Sequence, residues 1–155
     1  MIIDGTNGLT FNNATTQASA GSVLQVVSAT TTSGGSTTST SFVTTGFSAS
    51  ITPKFSTSKI AVFVTGQLYT TGSGYQAFAT IYRGATNLGD STQGFAPNAY
   101  NSAGSLTVGA SFNYVDSPAT TSSTTYTIYY RTASGTSWFN GANGVATIIL
   151  MEIAS

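Results

Sequence analysis

Apolar residues along this chain alternate with Ser, Thr, Asn and Gly at a spacing of two. In a β-strand that period sends successive side chains to opposite faces. The clearest run is 106–114, where Leu106, Val108, Ala110, Phe112 and Tyr114 form one face against Thr107, Gly109, Ser111 and Asn113. From Thr124 to Thr132, Tyr126, Ile128 and Tyr130 oppose Thr125, Thr127, Tyr129 and Arg131. Phe47, Ala49 and Ile51 alternate with Ser48 and Ser50, and Ala77, Ala79 and Ile81 lie opposite Phe78 and Tyr82. Ser22 to Ala29 adds Val23, Leu24, Val26 and Val27. No stretch shows helical spacing with start and stop signals. Turn-forming clusters separate the runs, among them Ser33 to Ser36, Thr52-Pro53, Gly72 to Gly74, Ser117-Pro118, Ser134-Gly135 and Gly141 to Gly144. At least seven closely spaced strands predict an all-β protein, an antiparallel β-sandwich of jelly-roll type.

Two of these strands are apolar on both faces. Between Lys59 and Tyr69, Ile60, Val62, Val64 and Leu68 share one side, and Ala61 and Phe63 the other. Between Val145 and Ile153, Val145, Ile149, Met151 and Ile153 lie on one side. An antiparallel sandwich leaves one face of each sheet to solvent, so a second apolar face requires cover. Another region of the same chain or a neighbouring subunit can supply it, and with so little charge on the chain the subunit is the expected cover. Tyr82 and Tyr129, set opposite the apolar faces of their own strands, are candidate subunit-interface residues, because aromatics are enriched at interfaces.

Residues 1–21 read differently from 22–155. Ile2, Ile3, Leu9 and Phe11 are spread among Asp, Gly, Asn and Thr, with little strand signal. A purely solvating tail would not carry four large apolar residues. The expectation is a short extended N-terminal arm that orders against a partner, followed by a sandwich domain over 22–155.

Composition strengthens the expectation of assembly. Charged residues make up 5% of the chain and the net charge is zero, while hydrophobic residues reach 40%. A free monomer normally keeps its surface wet with charge; here Ser and Thr, about a third of the chain, serve instead. Low charge also removes repulsion between copies. Lys54, Lys59, Arg83 and Arg131 are scattered, so no basic patch faces a nucleic acid. No apolar run approaches the roughly 20 residues of a membrane helix, and the first residues carry no basic region or long apolar stretch, so a signal peptide is not expected. Neither a nucleic acid nor a membrane is an expected partner.

Histidine and cysteine are both absent. The commonest general base, the usual triads, thiol chemistry and cysteine-based metal sites are therefore excluded. Asp90, Asp116 and Glu152 lie on three segments with no motif around them. Asp90 and Asp116 are expected to cap turns, and Glu152 to pair with a Lys or Arg. Lys54 and Lys59 flank strand starts, where solvated ends are ordinary. Asp4-Gly5-Thr6-Asn7-Gly8 starts like a calcium loop but has no closing acidic residue, and reads as a turn. No catalytic residue, cofactor or metal site is expected. One binding alternative remains: Trp138, followed by Phe139 and Asn140, suits stacking on a sugar, with Tyr100 and loop Asn residues as further candidates, although a Trp packed at the end of the sandwich is the expected role.

Several pieces then form an ordered series: Val23-Leu24-Gln25-Val26-Val27-Ser28-Ala29-Thr30, Ser39-Thr40-Ser41-Phe42-Val43, Ser50-Ile51-Thr52-Pro53 and Ser56-Thr57-Ser58-Lys59-Ile60. It continues through Ile81-Tyr82-Arg83-Gly84, Tyr114-Val115-Asp116-Ser117-Pro118-Ala119-Thr120-Thr121, Thr125-Tyr126 and Ile149-Leu150-Met151-Glu152-Ile153. The series resembles a family of bacteriophage virion domains related in architecture to trimeric jelly rolls of the C1q and tumour-necrosis-factor type. Gly8-Leu9-Thr10-Phe11-Asn12-Asn13-Ala14-Thr15-Thr16-Gln17 resembles the lead-in before the C-terminal domains of phage fibres. The resemblance implies a homotrimer that packs its inner sheets about a three-fold axis. The resulting expectation is a small virion protein, a capsid decoration (cement) protein on the outer capsid surface. Its partners would be its own copies and the major capsid protein or another virion protein, with Ile2, Ile3, Leu9 and Phe11 touching the capsid. The alternative is a receptor-binding fibre or tail tip, with Trp138 and Tyr100 contacting a host glycan.

Overall fold

The structure is a computed structural model that describes residues 2–4, 8–10, 16–17, 22–95, 99–100, 102, 104–141 and 144–154. Its strands are β1 (Ile2–Asp4), β2 (Gly8–Thr10), β3 (Thr16–Gln17), β4 (Val23–Thr31), β5 (Gly35–Thr37), β6 (Val43–Ile51) and β7 (Lys59–Thr70). Then follow β8 (Gln76–Arg83), β9 (Thr86–Asn87), β10 (Ala99–Tyr100), β11 (Leu106–Asp116), β12 (Thr124–Thr132), β13 (Ser137–Phe139) and β14 (Ala146–Ile153). The described residues contain no helix.

The long strands distribute over two antiparallel sheets. One runs β10-β8-β12-β6, with β9 on β8. The other runs β4-β14-β7, with β11 along the opposite edge of β7 and β13 and β5 continuing beyond β14. The chain crosses repeatedly between the sheets, as in a jelly roll. The alternation explains the core: Ile60, Val62 and Val64 of β7 face Ile128 and Tyr126 of β12, with Ile148 and Leu150 of β14 beside them, all buried. Burying each such side chain contributes about 1.5–3 kcal/mol. On β14 the inward set is Ala146, Ile148, Leu150 and Glu152, so Val145, Ile149, Met151 and Ile153 lie on the outer side.

The register slips between Thr127 and Tyr129, where β6 carries extra residues opposite Ile128. Gly46 sits in this bulge with φ at 76°, a left-handed conformation that suits glycine. Thr45 Oγ1 donates to Ile128 O at 2.8 Å and holds the bulge shut.

The N-terminal segment differs from the strand-poor arm expected of it. β1, β2 and β3 make a three-stranded antiparallel sheet of their own, with Ile3 opposite Leu9 and Asp4 opposite Gly8. Strands this short carry little periodicity, so backbone pairing rather than a hydrophobic pattern defines them.

Candidate functional site

Cross-strand register on the outer face of the β4-β14-β7-β11 sheet assembles an apolar surface. Val26 pairs with Met151, Met151 with Ala61, and Ala61 with Val115, a single row across four strands. In the adjoining row, Ser28, Ile149, Phe63 and Asn113 align. Phe63 is 42% exposed, Val26 57% and Val115 53%. Ile153 and Lys59 pair at the margin, and Lys59 is the one charge in these rows. Toward the other end, β13 places Trp138 opposite Tyr69, ring centroids 5.1 Å apart and tilted 49°. Exposed apolar clusters of this kind mark interaction surfaces.

Tyr82 and Tyr129 are brought together on the outer face of the other sheet. Their rings stack at 3.9 Å with planes 22° apart, so each spends one face on the other. Ser50 and Thr125 share a 2.8 Å hydroxyl contact on the same face. Trp138 is half-buried, whereas Tyr100, 59% exposed, stands on β10 of the opposite sheet. The two proposed sugar-contacting residues thus belong to different sheets. Ile2, Ile3 and Leu9 lie in the N-terminal sheet, and Phe11 lies outside the described residues.

Each carboxylate of the sandwich has its own surroundings. Asp90 caps a turn, as expected: its Oδ1 accepts the N–H groups of Thr92 and Gln93 at 2.8 and 2.6 Å. Hydrogen bonds from the Gln93 backbone and from the Thr92 hydroxyl and backbone hold its carboxyl at about 2. A titration followed by NMR should find the Asp90 carboxyl half-protonated near that pH, and Thr92→Ala should move it upward.

Asp116 does not cap a turn. It ends β11, is buried, and takes Arg83 Nη1 at 2.7 and 2.8 Å and the Tyr126 hydroxyl at 2.7 Å. Strand register places it inward, and an inward carboxylate requires charge and donors about it. Burial first, and then the bond to Asp116, push the Tyr126 phenol far up, which keeps it a donor.

Glu152 does not meet a Lys or Arg side chain. Fully buried, it accepts Gln25 Nε2 at 2.6 Å and the backbone N–H of Lys54 at 2.7 Å. Sequence alternation had no means of showing either inward carboxylate's partners, because these come from strands and loops far along the chain. Among the described residues, no group of three or more His, Cys, Asp or Glu comes together. A cavity of about 210 Å³ opens beside the β6 bulge, lined by Ser33, Gly34, Thr45, Gly46, Phe47 and Phe139, among others.

No protein-family model matches this chain, and no curated protein matches it. Among solved structures it is similar to that of the infectious bursal disease virus Gx strain, with a TM-score of 0.46 and 17% identity, covering 84% of this chain and 37% of that one. It is also similar to a mutant VP2 protein of infectious bursal disease virus in derived T=1 particles, with a TM-score of 0.45 and 18% identity, covering 96% of this chain and 40% of that one. The chain thus spans about two fifths of the length of these structures.

Proposed function

We propose that this protein is a non-catalytic structural component of a bacteriophage particle, a capsid decoration protein that assembles as a homotrimer and binds the outer shell. The observation that carries the reading is the outer face of the β4-β14-β7-β11 sheet, where Val26, Met151, Phe63 and Val115 form an apolar surface with charge only at its margin. Copies meeting through this face would bury apolar area with almost no charge to desolvate. The number three comes from the resemblance of the ordered sequence series to trimeric jelly rolls. The remaining Ser- and Thr-rich surface suits close, neutral packing against the major capsid protein or another virion protein, and Ile2, Ile3, Leu9 and Phe11 are the assigned capsid contacts. The mechanism is mass action: a ligand that binds only the assembled shell stabilises it.

Two measurements test this. Sedimentation should give a trimer that Phe63→Ser dissociates by about 100-fold, the loss of a well-buried interface aromatic. The purified protein should bind undecorated phage capsids saturably and prolong their survival under heat, and deletion of residues 1–20 should abolish binding. Capsids that neither bind nor gain resistance would remove the decoration role. The second reading, recognition of a host glycan, is favoured by the half-exposed Trp138 beside Tyr69. It would be supported if the isolated protein bound host polysaccharide and Trp138→Ala lost that binding.

A further inference from the structure

The cavity beside the β6 bulge is lined from both sheets, by Thr31 of β4, Gly35 of β5 and Phe139 of β13 and by Thr45, Gly46 and Phe47 of β6. A close-packed sandwich holds few voids larger than a water molecule, so about 210 Å³ at this place needs a cause. The bulge supplies one, since extra residues bend a strand out of line, and no atom lies within 4 Å of where a Cβ on Gly46 would stand. The opposite wall is held in place. Gly34 packs so closely on Asn140 that a Cβ would stand 2.1 Å from the Asn140 carbonyl oxygen. Buried Asn140 has a left-handed backbone, φ 56°, and its Nδ2 donates to Thr31 O and Ser33 O at 3.4 Å and to Gly144 O at 2.8 Å. A residue other than glycine keeps that conformation where its surroundings hold it, commonly at ligand sites. Asn140 Oδ1 is buried with no hydrogen-bond partner among the described residues.

The lining dictates what can enter. None of these residues carries a charge, so an ion would lose its hydration with no partner to replace it. Thr45 Oγ1 is engaged by Ile128 O and the Phe47 N–H, which leaves the Thr31 and Ser33 hydroxyls as donors. Phe47 and Phe139 add apolar ring surface. The volume lies below the roughly 300–1,000 Å³ of sites for larger ligands and suits a single ring. A neutral molecule of that size, with hydroxyls around its edge and C–H groups on its faces, is a pyranose.

We propose that this cavity binds one neutral sugar residue, held by the Thr31 and Ser33 hydroxyls and seated against Phe47. The proposal takes up the glycan reading above without its Trp138 contact, and does not depend on the decoration role. The test is NMR on the full ¹⁵N-labelled chain, titrated with the methyl glycosides of glucose, galactose, mannose and N-acetylglucosamine and with glucuronate as the charged comparison. At least one neutral glycoside should give saturable shifts centred on the amides of Ser33 to Gly35 and Thr45 to Phe47, with a dissociation constant of about 1–10 mM for so small a ligand. Phe47→Ala, its fold checked by far-UV circular dichroism, should weaken that binding about 10-fold. Saturable shifts centred instead on Tyr69 and Trp138 would refute the cavity and leave the glycan reading standing. No saturable shift up to about 100 mM, well past the expected range, would overturn the cavity site, and the polysaccharide experiment above then judges the glycan reading alone. Glucuronate binding as tightly as the neutral sugars, or unchanged affinity in folded Phe47→Ala, would overturn it too.

Discussion

Replacing Asp116 by alanine is expected to lower the unfolding free energy by about 4 kcal/mol, within the range for breaking a buried, hydrogen-bonded ion pair. Its carboxylate holds Arg83 through both oxygens and accepts the hydroxyl of Tyr126, which is fully buried. Removal strands a phenol with no solvent to turn to and leaves the Arg83 charge without its partner. Arg83 is 31% exposed and recovers some hydration, which keeps the loss from running higher. Urea unfolding at neutral pH measures the effect. Tyr126→Phe should cost less, about 1–2 kcal/mol, because the Arg83–Asp116 pair survives it. In the double variant the two losses should not add, since the residues share one network. Full additivity would show that the hydroxyl contributes nothing to holding the carboxylate.

Glu152→Ala is expected to cost about 2 kcal/mol, since it removes the acceptor of the part-buried Lys54 N–H and leaves the Gln25 amide only Thr52 O. The pH dependence has a definite sign. Burial by itself raises the Glu152 carboxyl, but the hydrogen bonds from the Gln25 amide and the Lys54 backbone N–H outweigh it and leave it below the usual 4.5. Its folded-state value is therefore the depressed one. The stabilisation is present above the unfolded value, and is lost as pH falls through the folded value. Wild type should lose stability below about pH 4.5 more steeply than Glu152→Gln, which has no carboxyl to protonate. Parallel pH profiles for the two proteins would refute this linkage.

Much of the fold was legible along the chain. Leu106 to Tyr114 and Thr124 to Thr132 alternate cleanly, because each strand has one face in the core and one outside, and both became long strands with the predicted faces inward. The doubly apolar character of 59–69 and 145–153 was equally plain. It signalled a face in need of cover, although nothing in those segments showed which other residues share it. Val26 and Val115 join Phe63 and Met151 through register alone. Ser117-Pro118 after Asp116 suggests a turn, whereas the strand runs two residues past Tyr114 and turns the Asp116 carboxylate inward.

Composition and local alternation are enough to set the class of this protein: an all-β sandwich, nearly without charge, with no histidine or cysteine chemistry and with apolar residues on both faces of two strands. Those properties are local or compositional, and period-two alternation writes them into neighbouring residues. Strand pairing in three dimensions settles which outward residues meet in one surface, which donors surround the two buried carboxylates and how the 52–58 loop is held. Each of these depends on partners distant along the chain, such as Asp116 with Arg83 and Glu152 with Gln25. Strand order and register choose those partners, and a strand's own alternation is the same whichever neighbour it pairs with.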